Sequence, residues 1–122
     1  MRPFSWLAAW LCAALLHAPA PAFALAAAEV AVDALPKEAR VVLVQIRSGG
    51  PFRYERDGVV FGNRERLLPQ KARGYYHEYT VPTPGARNRG ARRIVCGGSN
   101  KQDPVVCYYT ADHYQSFARI RE

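Results

Sequence analysis

Apolar residues at Ala39, Val42, Leu43 and Ile46 recur with the i, i+3, i+4, i+7 spacing of a helix that buries one face. Pro36 ahead of them and Gly49-Gly50-Pro51 behind them mark where that helix starts and stops. Beyond it the period shortens. Asp57-Gly58 introduces Val59-Val60-Phe61, Tyr75 to Val81 is dense in β-formers, and Pro82 to Gly90 has the composition of a loop. One early helix followed by short strands predicts an α+β domain, with the helix packed on a small antiparallel sheet. The alanine-rich lead from Leu25 to Val32 has no amphipathic pattern and reads as a loosely held N-terminus.

Ahead of that lead, Arg2, the apolar run Trp6 to Leu16 and the small-x-small triplet Ala22-Phe23-Ala24 have the layout of a secretory signal peptide. The expected division is a signal peptide over residues 1–24 and one domain over 25–122, with cleavage after Ala28 as the second option. Cys12 sits behind Trp10-Leu11, without the small residue that lipidation requires just before the cysteine. The apolar run is shorter than the roughly 20 residues a bilayer span needs. A secreted, extracellular or periplasmic monomer, free of the membrane after cleavage, is therefore expected.

Charge narrows the class of partner. The 122 residues carry a formal net charge of +7, and loss of residues 1–24 removes only Arg2, leaving 16 basic against 10 acidic side chains. A small basic domain attracts polyanions, although charge alone does not choose RNA over DNA, heparin or lipid. Of three cysteines, Cys96 and Cys107 remain after the leader, and an even pair in an exported domain reads as a disulfide. Metal ligation would need partners that the two remaining histidines are not spaced to supply.

The chemistry concentrates in YYHEYTVPTPGARNRGARRIVC and YYTADHYQSF. Strand alternation from Tyr75 to Val81 puts Tyr76, Glu78 and Thr80 on one face and Tyr75, His77, Tyr79 and Val81 on the other. Glu78 and His77 thus point apart, and His113 is the better proton donor to work with Glu78. Arg87, Arg89, Arg92 and Arg93 lie within seven residues, a density that calls for an anion or nearby carboxylates. A base, anion clamps and an acid are the groups that move a phosphoryl group between ribose oxygens with no metal and no cofactor. These residues read as a ribonuclease site.

DGVVFGNRE, YYHEYTV, TPGAR, RGARRI and YYTADHY, in that order, resemble the microbial guanyl-specific ribonucleases, a family related more distantly to barnase. The resemblance runs from about Leu35 to about Ile120. It implies a microbial ribonuclease fold and a secreted endoribonuclease that cuts single-stranded RNA on the 3′ side of guanosine through a 2′,3′-cyclic phosphate. Glu78 matches the family's base, His113 its acid, and Arg89 and Arg93 its phosphate clamps, whereas Arg87 and Arg92 have no family role and read as solvated. Phe61, Asn63, Arg64 and Glu65 match the guanine-reading segment, with Glu65 the carboxylate that accepts from the base, and Tyr114 matches a tyrosine lining the phosphate site. Gly62 stands where relatives carry a bulkier polar residue. CGGSNKQDPVVC is longer than the corresponding turn of relatives and carries both cysteines. Two other readings are a toxin neutralised by an acidic barstar-like inhibitor and a catalytically inactive polyanion-binding module; the intact set Glu78, Arg89, Arg93 and His113 argues against the second.

Overall fold

The computed structural model describes residues 28–122, so the leader expected over 1–24 lies outside the described residues. The helix, α1, spans Lys37–Ser48, and its buried residues are Ala39, Val42, Leu43 and Ile46, the four that set its period. Gly49 ends it in the left-handed region at φ 81°, which a side chain would resist. There its N–H bonds to the Ile46 carbonyl while Gly50 N–H reaches Gln45 O, the paired closure typical of a glycine-terminated helix.

Five strands follow the order β1-β5-β4-β3-β2, with β1 at Ala28–Ala31, β2 at Tyr76–Thr80, β3 at Arg93–Gly97, β4 at Val106–Thr110 and β5 at Ala118–Arg121. The pairs from β2 to β5 are antiparallel, as the sequence predicts, and β1 adds a parallel edge. The lead expected to be loose is therefore partly wrong from Ala28 onward. Ladder bonds to β5, an ion pair between Glu29 and Arg121 at 3.7 Å, and the packing of Val30 and Val32 on the core hold it. Backbone pairing of this kind needs no alternating pattern, so composition alone concealed it.

The sheet buries both faces. On one side α1 packs on Tyr79, Val81, Ile94 and Ile120, and on the other Leu68, Tyr76, Val95 and Tyr108 form a second cluster beneath Phe61, Tyr114 and Phe117. Val59 to Phe61 forms a bridge rather than a full strand, lying along the outer edge of β2 through Gly58 N–H to Glu78 O at 2.7 Å, Glu78 N–H to Val59 O at 2.9 Å and Phe61 N–H to Tyr76 O at 2.9 Å. Asp57 anchors the start of that segment, accepting from Thr80 N–H at 2.8 Å and Tyr54 N–H at 3.1 Å.

Cys96 and Cys107 face each other across β3 and β4 and are joined by a disulfide, with Cα atoms 4.1 Å apart. They belong to the α1-side cluster, whereas their neighbours Val95 and Tyr108 belong to the opposite one. Closing a loop with sequence separation 11 stabilises a chain by roughly 3 kcal/mol through the unfolded state. Reduction is expected to lower the melting temperature by about 10 °C or more without altering cleavage products, and mass analysis of the oxidised protein should find no free thiol among residues 28–122.

Candidate active site

Three segments converge on the face opposite α1. The first is β2, which carries Glu78 inward at 7% exposure on the same side as Tyr76 and Thr80. His77 faces the other way, where burial and the nearby Lys101 charge hold its imidazole below the ordinary value. The alternation read from the sequence therefore holds, and Glu78 and His77 do not act as a pair.

The second segment is the arginine loop leading into β3. Arg89 bridges two residues of the β2 face, donating from Nε to Thr80 Oγ1 at 2.9 Å and approaching Glu78 Oε1 with Nη2 at 3.4 Å. Arg93 opens β3 opposite Thr80 and is 2% exposed. Its Nη1 donates to the carbonyls of Arg92 at 2.8 Å and Arg89 at 3.4 Å, and its guanidinium lies 5.9 Å from the Tyr114 ring centre. Arg87 is exposed, as expected. Arg92 is not solvated: it pairs with Glu38 of α1 at 3.1 Å and also donates to Pro82 O. Glu38 is 54 residues away from Arg92, so only the tertiary fold reveals which carboxylate offsets that charge.

The third segment is the turn between β4 and β5. His113 and Tyr114 take φ values of 56° and 73°, an uncommon conformation for residues with side chains. Hydrogen bonds compensate. His113 N–H reaches Ala91 O at 2.9 Å and Tyr114 N–H reaches Thr110 Oγ1 at 3.2 Å. Asp112 staples the turn by accepting from Thr110 Oγ1 at 2.8 Å, Ser116 N–H at 2.9 Å and Ser116 Oγ at 2.6 Å. Hydrogen bonds from the Ser116 and Thr110 hydroxyls hold its carboxyl below the ordinary carboxylate value. The result is an exposed His113 beside a half-buried Tyr114, their ring centres 4.8 Å apart.

The first and third segments line a cleft of about 690 Å³ with Glu78, His113 and Tyr114, together with the loop Phe61 to Glu65, whereas Arg89 and Arg93 lie behind that lining, against Glu78 and the Tyr114 ring. Phe61 stacks near Tyr114 at 5.0 Å and Phe117 at 5.9 Å between ring centres. Asn63, at φ 51°, uses its side-chain amide on the Leu68 backbone, donating to the carbonyl at 2.9 Å and accepting from the N–H at 3.2 Å. It therefore shapes the loop, leaving Arg64 and Glu65 exposed toward the cleft. Gly62 leaves room over which the Arg64 side chain folds, 3.7 Å from where a Cβ would stand. Arg56, Gln115 and Phe117 also line the cleft; none carries a sequence signal that separates it from an ordinary surface or core residue.

A family model described as ribonuclease matches residues 19–121. The chain is 56% identical over 91 residues to guanyl-specific ribonuclease Sa of Kitasatospora aureofaciens, covering 75% of this chain and 91% of that one. It is 49% identical over 89 residues to guanyl-specific ribonuclease St of Saccharopolyspora erythraea, covering 73% and 83% respectively. Among solved structures, ribonuclease Sa2 with guanosine-2′-cyclophosphate matches with a TM-score of 0.71 at 48% identity, covering 79% of this chain and 97% of that chain.

The buried phenols give the site a distinct alkaline behaviour. Tyr114 is pushed from 10.0 up to about 12 by burial and then by the Glu78 carboxylate, and Tyr76 to about 12 by burial and then by neighbouring tyrosines. Because the folded state keeps these protons after the unfolded chain has lost them, their contribution is complete below about pH 10 and disappears as pH rises toward 12. Urea unfolding followed across that window should show falling stability, and Tyr76→Phe or Tyr114→Phe should flatten the fall.

Proposed function

This chain belongs to the ribonuclease family, and on that premise we propose that it is a guanyl-specific endoribonuclease whose reaction centres on Glu78, Arg89, Arg93 and His113. One observation carries the reading: Glu78 shares a single cleft with an exposed His113, with Tyr114 and with the Phe61 to Glu65 loop, and Arg89 pairs with Glu78 at 3.4 Å. The substrate is single-stranded RNA, since a base must leave its stack to lie on Phe61 and meet Glu65.

Two in-line steps follow from that arrangement. Glu78 accepts the 2′-hydroxyl proton as O2′ attacks phosphorus, and His113 protonates the departing 5′-oxygen, giving a 2′,3′-cyclic phosphate. Water then opens the ring, with His113 accepting its proton and Glu78 returning one to O2′. Arg89 and Arg93 stabilise the charge that gathers on the phosphoryl oxygens, a task suited to fixed guanidinium forks in a partly dry site. Tyr114 lines the cleft with its ring 5.9 Å from the Arg93 guanidinium, and burial keeps its hydroxyl protonated at working pH.

Glu65 is the guanine reader in this scheme. Guanine presents adjacent N1–H and N2–H donors, and a carboxylate accepts from both, so adenine leaves acceptors unpaired. Residues 1–24 act as the export signal, and a mature chain starting at Leu25 keeps all of β1. The disulfide suits an oxidising compartment.

Glu78→Gln and His113→Ala should each reduce RNA cleavage at least about 100-fold with the fold retained by circular dichroism. Activity near wild type in either variant would remove the mechanism, and complete loss of wild-type activity in EDTA would point to metal-dependent chemistry. Glu65→Gln should lower cleavage after guanosine far more than the weak cleavage after adenosine, by roughly 2 kcal/mol of discrimination. Guanosine 3′-phosphate should bind more weakly in that variant while inorganic phosphate binds as before; equal weakening of both ligands would contradict the assignment.

A further inference from the structure

Arg56 lines the same cleft as Glu78, His113 and Gln115, yet none of the chemistry above uses it. Its position is set by the backbone. Along the outer edge of β2 the chain runs antiparallel, with Phe61 bonded to Tyr76, Val60 opposite His77, Gly58 bonded to Glu78 and Asp57 bonded to Thr80. The loop bearing Glu65 thus lies toward the Tyr76 end, Arg56 lies past the Thr80 end, and Glu78 stands between them.

The turn that carries Arg56 is tied at several points. Asp57 N–H bonds to Tyr54 O at 3.0 Å, Tyr54 N–H returns to Asp57 Oδ2 at 3.1 Å, and Val59 N–H bonds to Arg56 O at 3.2 Å. The Arg56 side chain is exposed and forms no ion pair among the described residues, whereas Arg89 and Arg92 each have a carboxylate. A cation held at the cleft by a fixed turn, with no internal partner, is available to a ligand's anion.

Resting on the guanine-specific reading, the direction of the substrate follows. A guanosine seated on the Phe61 to Glu65 loop puts its 3′-phosphate at Glu78, and the RNA beyond the scissile bond continues away from that loop, toward Arg56. The geometry points to Arg56 as a subsite for the next phosphate downstream, the one on the 3′ side of the leaving nucleoside. The guanidinium fork can hold two oxygens of that phosphate and stays charged at any working pH. Contact there draws the leaving nucleotide along the cleft past His113.

The test compares guanylyl-3′,5′-cytidine with the same dinucleotide carrying a 3′-terminal phosphate and with one carrying a 5′-terminal phosphate. In the wild type the 3′-phosphate should raise kcat/KM about three- to tenfold, the range expected for one solvent-exposed charge-assisted contact. Arg56→Ala should bring that ratio close to one, and Arg56→Lys should keep part of it. On long RNA, the slope of log kcat/KM against log salt should become shallower by about 0.7 in Arg56→Ala, the value for one lost phosphate contact on a single strand. A ratio unaffected by Arg56→Ala, an equal fall for all three substrates, or an Arg56-dependent advantage carried by the 5′-phosphate would each overturn the downstream subsite. If the wild type fails to cut the plain dinucleotide after guanosine, the underlying functional reading fails instead, and the two failures are distinguishable.

Discussion

Arg93 is a guanidinium placed at the first position of a strand and left only 2% exposed. A cation in such a position costs several kcal/mol unless nearby groups compensate it, and the surrounding structure supplies partners at Nη1 while leaving the buried Nε without one. Two backbone carbonyls of its own loop accept from it, the Tyr114 ring lies against it, and Glu78 stands on the neighbouring strand. The Arg89 loop must fold back to present those carbonyls, and the β4 to β5 turn must adopt two left-handed residues to bring Tyr114 over. The geometry that makes the burial tolerable is also the geometry that assembles the cleft.

Charge is distributed around this point by both faces of the sheet. Arg89 turns inward to Glu78, while Arg92, three residues on, reaches the opposite side and pairs with Glu38 on α1. One short loop therefore ties the helix to the sheet and sets Arg89 against Glu78. The strands transmit this coupling through ordinary register, since Thr80 opposite Arg93 also meets Arg89 and Asp57.

Much of this was legible in the sequence where a physical period was present. The four apolar positions of α1 are the four it buries, and alternation in β2 separated Glu78 from His77 before any coordinates. The family motifs named Glu78, His113, Tyr114 and the Phe61 to Glu65 loop, which line the cleft, and the cysteine count gave the disulfide. What escaped has no local signature. β1 is held by backbone ladder bonds that any sequence can make, the Glu38 to Arg92 pair spans distant elements, and the Asp112 staple depends on a turn conformation that is unusual for His113 and Tyr114. Asn63 combines both kinds of signal, lining the cleft as the motif implies while its side chain closes the loop on the Leu68 backbone.

The hairpin between β3 and β4 has a consequence for how this fold can change. Its ladder ends at Gly97 opposite Val106, one residue beyond the disulfide, and Cys96 and Cys107 point toward the helix rather than the cleft. Lengthening a loop twofold adds only about 0.6 kcal/mol of closure entropy, and the disulfide joins the two strand ends from which this one departs. The segment from 98 to 105 is accordingly a port for foreign sequence: an epitope, a targeting peptide or a second binding module could be inserted there, on the side of the sheet away from the scissile bond.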